Sequence, residues 1–375
     1  KNKYSEKVFK DLQEKGLKFK DPLFVKNNKR INLFKFIYCF LFNMPNKIFS
    51  GSELKNKINS HLGFKPDLVL AIWSELATHA CAGLDCKKFN YSGNNQYDVY
   101  AAHYELKNLT KKLQNKKISL INKALFFIKY RLIKYAYIVA MKKYDLVWNV
   151  ANNNANDLLK NGVKVKYLQN MWPNYSSDIS FNYQQIKENK FRKIKIIANV
   201  GNMQATGNSL GLYTLASEIL PRMKELLEEG SFEFNLYGRG EPFPFLKKLL
   251  KDPHIKIKGF VKDLDKEIVN SDIFLVANNS KRFKVGHTRF LHAWALSSCV
   301  VAFQDSSLAM PEIKHQYNAL LAKDSNELCS YIVECSFNKK LRSRLGKNGF
   351  NTLNKYFSPR IVTNKLYADM ISNTK

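Results

Sequence analysis

The chain has 375 residues, enough for two domains of ordinary size, and 45% of them are hydrophobic, so each domain can bury a core of its own. Its 16 Gly and 10 Pro, without a repeat or a low-complexity run, exclude collagen-like and disordered classes. The 61 Lys and Arg against 31 Asp and Glu give a net charge of +30. That charge suits an anionic partner, or it reflects the Lys-, Asn-, Ile- and Phe-rich bias of AT-rich genomes. The six Cys form no C-x-x-C pair, so neither a zinc site nor a disulfide framework is indicated, and a reducing cytoplasm is the expected compartment.

Lys3–Gly16 reads as an amphipathic helix, with Tyr4, Val8, Phe9 and Leu12 on one face and Gly16 as its C-cap, rather than as a secretory leader. In an α/β domain such a helix follows a strand and its phosphate-side loop. None precedes it here, so the sequence reads as one that lacks its native first strand. Strands are then expected at Leu23–Val25, Leu68–Trp73, Lys88–Tyr91, Leu146–Asn149 and Lys164–Leu168, separated by helices such as Glu53–Leu62 and Leu125–Lys142. Residues 170–189 hold Pro173, Ser176 and Ser177 among many Asn and Gln without an apolar period, and read as a linker.

A second alternation follows. It runs through strand Lys195–Val200, helix Tyr213–Leu227 with a kink position at Pro221, strand Glu233–Tyr237, helix Pro244–Leu250 and strand Lys256–Lys258. Strand Ile273–Val276, helix Phe290–Leu296 and strands Cys299–Phe303 and Ala319–Leu321 come next, before helices Ser325–Cys335, Lys339–Tyr356 and Pro359–Met370. The expected fold is α/β, two doubly wound parallel-sheet (Rossmann-like) domains. Their limits read as 1–170, a linker at 171–193, 194–357, and a C-terminal helix at 358–375. No run reaches the roughly eighteen apolar residues that cross a bilayer.

Three loops could carry chemistry. Val200–Ser209 is a glycine-bearing strand-to-helix turn, with Gly201, Asn202, Gly207 and Asn208 placed to let backbone approach a diphosphate. The Gly201–Gly207 spacing is too long for a Walker loop and Asn208 stands where Lys is required, which excludes a P-loop NTPase. The competing local reading is a turn whose Asn side chains bond their own backbone. Tyr237–Pro242 carries Gly238, Arg239 and Gly240 at the end of a strand, where open α/β sheets bind ligands. Arg239 there points either to a diphosphate or to solvent. Gly259-Phe260-Val261 follows. Finally, Val285–Glu312 sets His287, Thr288, Arg289 and His292 at the start of an apolar helix, ahead of a buried strand and Pro311-Glu312.

This order of loops resembles the carboxyl-terminal domain of family-4-type GT-B glycosyltransferases. The resemblance covers about residues 145–370, and the first 140 only in architecture. It implies a glycosyltransferase with a nucleotide-diphosphate sugar as co-substrate, no tightly bound cofactor or metal, and retention at the anomeric carbon. The acceptor would be a hydroxyl of a lipid-linked or cell-surface polysaccharide, met at the cytoplasmic face of the membrane. Donor contacts would come from Gly201, Asn202, Gly207, Asn208, Gly238, Arg239, Phe260, Val261, His287, Thr288, Arg289, His292 and Glu312. Arg289 would neutralise the leaving phosphate. On the acceptor side, His79 and His103 are the candidate catalytic residues, with Glu75 and Asp98 beside them. One departure stands out. Where the family carries an acidic residue, seven intervening residues and a Glu, this chain has Lys284 and His292. An inactive homologue that binds a nucleotide sugar or an anionic surface, and a GT-B-fold epimerase, are the alternatives.

Arg30–Met44 and Lys123–Lys143 mix aromatic and basic residues. They read either as helices lying on an anionic bilayer or as core-facing crossovers with snorkelling lysines. No RNP, KH or zinc-finger signature occurs, so nucleic acid is not an expected partner.

Overall fold

The computed structural model describes residues 56, 60–61, 66–173, 193–278, 280, 284 and 287–374. The expected elements at Lys3–Gly16, Leu23–Val25 and Arg30–Met44, most of Glu53–Leu62, and the linker from 174 to 192 lie outside the described residues.

Continuous apolar runs place the first sheet. Strands β1 (Leu68–Ile72), β2 (Lys87–Ser92), β3 (Leu146–Asn149) and β4 (Val165–Tyr167) are all parallel, in the order β1-β2-β3-β4. All four residues of β3 are buried, as expected of a strand covered on both faces. The crossovers are α1 (Glu75–Cys81), α2 (Gln96–Leu113), α3 (Leu120–Met141) and α4 (Asn152–Lys160). Ser74 caps α1 by accepting from the Ala77 N–H at 3.1 Å, and Ser119 caps α3 by accepting from Asn122 N at 3.2 Å. The sequence began α3 at Leu125; the Ser119 cap moves its start to Leu120.

In the second sheet, β5 (Ile194–Val200), β6 (Phe232–Tyr237), β7 (Ile255–Gly259), β8 (Ile273–Val276), β9 (Val300–Phe303) and β10 (Leu320–Ala322) run parallel in the order β10-β9-β8-β5-β6-β7. The helix read over Tyr213–Leu227 starts earlier. It runs as α5 (Thr206–Thr214), a π-helical turn at Leu215–Ile219, and α6 (Leu220–Leu226). Pro221 brings no N–H to the turn before it, and the backbone widens there. The early start was hidden because Thr206–Ser209 has no apolar period. Gly207 and Ser209 are buried, and Gly211 lies so close to strand-end backbone that an added Cβ would sit 3.4 Å from the Asn278 nitrogen.

Helices α7 (Pro244–Leu249), α8 (Leu264–Val269), α9 (His287–Ala295), α10 (Ser306–Ala309), α11 (Ser325–Phe337) and α12 (Lys339–Tyr356) complete the layers on this sheet. One core, around Ile196, Phe234, Leu275 and Ile332, fills one face. The other, around Phe274, Phe290, Trp294 and Phe357, fills the opposite face.

The last helix, α13 (Pro359–Thr374), returns to the first sheet. Its Val362, Leu366 and Met370 pack with Phe89 and Trp148, and the Trp148 indole donates to Asp369 Oδ2 at 2.9 Å. The segment read as a separate C-terminal helix is therefore part of the first layer system. The carboxyl edges of the two sheets face one another: α2 packs on α5, and α4 on α10. Two polar bridges join them. Ser280 Oγ donates to Glu105 Oε2 at 2.8 Å, and Tyr167 OH and Gln169 Nε2 each donate to the Glu312 carboxylate at 2.8 Å. Among the described residues no helix is long and apolar enough to cross a membrane.

Candidate functional site

At the carboxyl edge of the second sheet, three loops are laced together backbone to backbone. Gly201 N donates to Tyr237 O (3.2 Å), Met203 N to Arg239 O (3.1 Å) and Gly238 N to Gly259 O (2.8 Å). The contact demands glycine. Gly238 has φ +142, and a Cβ on it would lie 1.7 Å from the Gly201 carbonyl oxygen. Beneath the seam, buried Asn199 donates to Tyr237 O at 3.0 Å.

Asn202 and Asn208 do what the local reading expected. Asn202 Oδ1 accepts from Gln204 N at 2.9 Å, and Asn208 Nδ2 donates to Asn202 O at 2.8 Å. Their side chains hold the loop, while Ala205 at the N-cap of α5 contributes no side-chain cap to the backbone N–H groups of its first turn. Arg239 lies over the Phe260 ring at 5.1 Å, and that ring is 69% exposed. Val261 is half-buried against the second core.

Helix α9 is anchored by Phe290, Leu291 and Trp294, all buried, and by the Trp294 indole donating to Asn318 O at 3.0 Å. It starts at His287, and Thr288 is exposed. Arg289 is half-buried, and among the described residues no carboxylate pairs with it. Burial pulls its guanidinium down to about 10.

The two positions of the substituted acidic pair each face an acid from a neighbouring loop. Lys284 Nζ bonds the Asp305 carboxylate after β9 and donates to Ser280 O at 2.8 Å. His292 Nε2 lies 2.6 Å from Asp265 Oδ1 at the start of α8, with the Trp172 ring 5.6 Å away. His292 thus faces α8, and Glu312 faces the first sheet through Tyr167 and Gln169. Asp265 and Asp305 were not legible as site residues, because their partners lie 27 and 21 positions away on other loops. Among the described residues no group of three or more His, Cys, Asp or Glu is placed to hold a metal ion.

On the first sheet, His79 is fully buried, and burial lowers its imidazole to about 4, only partly opposed by Gln96. It is neutral at physiological pH and out of reach of a substrate. Its Nε2 lies 3.3 Å from Gln96 Oε1, and Gln96 Nε2 donates to Glu75 Oε2 at 3.3 Å. His103 is exposed on α2, two residues before the Glu105 that meets Ser280. Asp98 lies in the first turn of α2. The structure therefore does not bring His79 and His103 together.

Two facing parallel sheets, with the last helix crossing back onto the first, make this a GT-B fold. A glycosyltransferase of Rickettsia africae ESF-5 superimposes with a TM-score of 0.60 at 15% identity, covering 98% of this chain and 88% of that one. HepE of Anabaena in complex with UDP-glucose gives 0.60 at 15% identity, covering 97% and 89%. Sucrose-phosphate synthase of Thermosynechococcus elongatus gives 0.59 at 14% identity, covering 88% and 79%. Residues 194–336, the stretch that builds the second sheet, match the family model described as glycosyl transferases group 1. Comparison with curated protein sequences gives no match.

Proposed function

We propose that the protein moves a sugar from a nucleotide-diphosphate donor to a hydroxyl of a lipid-linked or cell-surface polysaccharide acceptor. The supporting observation is the second-sheet edge, where a glycine seam and a helix N-terminus without a side-chain cap lie on the same sheet edge that α9 follows with Arg289, a half-buried cation with no carboxylate pair among the described residues. A diphosphate supplies the charge that such a group calls for, and it gains most in the transition state, when the bond from the anomeric carbon to the phosphate oxygen breaks and its electron pair moves onto the diphosphate. The acceptor oxygen forms the new bond and releases its proton. Retention at the anomeric carbon is part of the proposal, as is the division into a first domain (1–170 with the last helix) and a second (194–357).

The test is turnover of UDP-, GDP- and ADP-sugars with a lipid extract as acceptor source. One donor should release its nucleoside diphosphate, and the product should keep the donor's anomeric configuration. If no donor is consumed, transfer is ruled out; an inverted product removes retention. Because Lys284 and His292 occupy acidic positions of the family pattern, a binding-only protein is the second reading, and nucleotide binding without turnover would establish it.

The acceptor's membrane sets the proposed location, peripheral on the inner leaflet. Leu120, Ile121, Leu125, Phe127 and Ile128 of α3 are exposed beside Lys123, Lys129 and Arg131, and no Asp or Glu occurs between Glu105 and Asp145. An apolar surface ringed by cations fits an anionic bilayer. Flotation with phosphatidylglycerol vesicles should fall as salt rises. Equal flotation with neutral vesicles would contradict it.

A further inference from the structure

The carboxyl end of β1 carries an arrangement that the core does not require. Ile72 and Trp73 are each 54% exposed, at the edge that faces the second sheet. Trp73 has φ +49, a left-handed backbone that costs a bulky residue of order 1–3 kcal/mol and is kept where the surroundings hold it. They do hold it. Trp73 N donates to Tyr91 O at 3.0 Å, the Tyr91 ring meets the indole edge-on at 6.4 Å, and Gly93 lies against the indole so closely that a Cβ would be 3.2 Å from two of its ring carbons. The indole is thus fixed in place with much of its surface left open.

Two residues on, Glu75 begins α1. Its carboxylate accepts from Gln96 Nε2, and Gln96 Oε1 accepts in turn from the Nε2–H of neutral His79. That orders the amide so that its NH2 points at Glu75. Partial burial raises the Glu75 carboxyl above the ordinary range, with Gln96 opposing. A flat, held apolar ring and, two residues on, a carboxylate with an acceptor oxygen to spare suit a pyranose. Such a ring has one face of C–H groups and a rim of hydroxyl donors.

We propose that Trp73 and Glu75 form a hexose-binding subsite, with the indole under the sugar ring and the carboxylate accepting from its hydroxyls. This site takes the acceptor's terminal sugar, an assignment that rests on the transfer reading above. His79 and Gln96 are its positioning residues.

The subsite can be tested without donor or acceptor. The full chain is labelled with 5-fluorotryptophan and titrated with the methyl glycosides of glucose, galactose and N-acetylglucosamine. The fluorine resonance assigned to Trp73 by its loss in Trp73→Phe should shift saturably at millimolar concentration with at least one glycoside. It should do so equally in Arg289→Ala. Glu75→Gln should weaken the binding about tenfold, the loss of a charged hydrogen bond. Gly93→Ala, which must push the indole, should weaken it as well. A Trp73 resonance that none of the three glycosides moves, or binding unchanged in both Glu75→Gln and Gly93→Ala, would overturn the subsite. Donor turnover without a glycoside shift would remove this site alone, and a glycoside shift without any donor turnover would keep the site and remove transfer.

Discussion

At the carboxyl edge of the second sheet, Gly201, Gly238 and Gly259 let three loops meet backbone to backbone. The same edge of the first sheet carries side chains: Trp73 and Glu75 outside, and a buried chain of Ser92, Asn149, Asn95 and Tyr97 that ends on half-buried Asp157 beneath. A rigid backbone edge suits a ligand part that never varies, such as a diphosphate. A surface of side chains can be re-cut for each acceptor. The contrast also separates the consequences of substitution. Changes at the second edge should act through backbone clashes and one cation, and changes at the first through burial, ring position and protonation.

The largest effect should come from Gly238→Ala, because the new Cβ would meet a carbonyl oxygen that cannot move without opening the seam. We expect a loss of about 3 kcal/mol or more in urea unfolding. Gly230→Ala also places Ala at a positive φ, +79, but with nothing within 4 Å of the new Cβ, so its loss should stay at about 1–2 kcal/mol. Equal losses would mean that the seam is not closely packed.

On the first sheet, His79 should give acid sensitivity. Its folded pKa, about 4, lies below the unfolded value of about 6.5, so between those values the unfolded chain binds a proton that the native state refuses. Stability is then full above about pH 6.5, falls by about 1.4 kcal/mol per unit as pH drops, and levels off below about 4, a total of about 3 kcal/mol. In His79→Gln that slope should be absent from urea midpoints taken across the window. A slope that persists would assign the titration to another group.

Much of the fold was legible because parallel strands buried on both faces are continuous apolar runs. Leu146–Asn149 and Ile273–Val276 fall where they were expected, and the other described strands lie within two residues of it. Helix α2 was missed because its buried face is Gln96, Tyr97, Ala101, Ala102 and Leu106, a mixture without a strong apolar stripe. The start of helix α5 was placed too late because close approach to the sheet selects Gly and Ser there. For the site, spacing showed the glycine loops but not where long side chains reach. Glu312 sits in the expected loop yet spans 145 residues to Tyr167, and His292 turns to Asp265, contacts that only tertiary structure creates.

A smaller effect is therefore expected from Glu312→Gln. Replacing a carboxylate that accepts from both Tyr167 and Gln169 should cost about 1–2 kcal/mol and raise proteolysis between the two sheets. Nucleotide affinity should change less than twofold. A large drop in nucleotide affinity with unchanged stability would return Glu312 to the donor site.

The central claim is that the second edge holds a nucleoside diphosphate against Arg289. Melting of wild type and Arg289→Ala with UDP, GDP or ADP tests it most directly. One nucleotide should raise the wild-type melting temperature, with about 2.7 kcal/mol of added stability at a hundredfold excess over Kd. In Arg289→Ala the affinity should fall by roughly 1.5–3 kcal/mol, so the same concentration gives a much smaller rise. No response to any of the three, or an identical rise in the folded Arg289→Ala protein, would contradict the account.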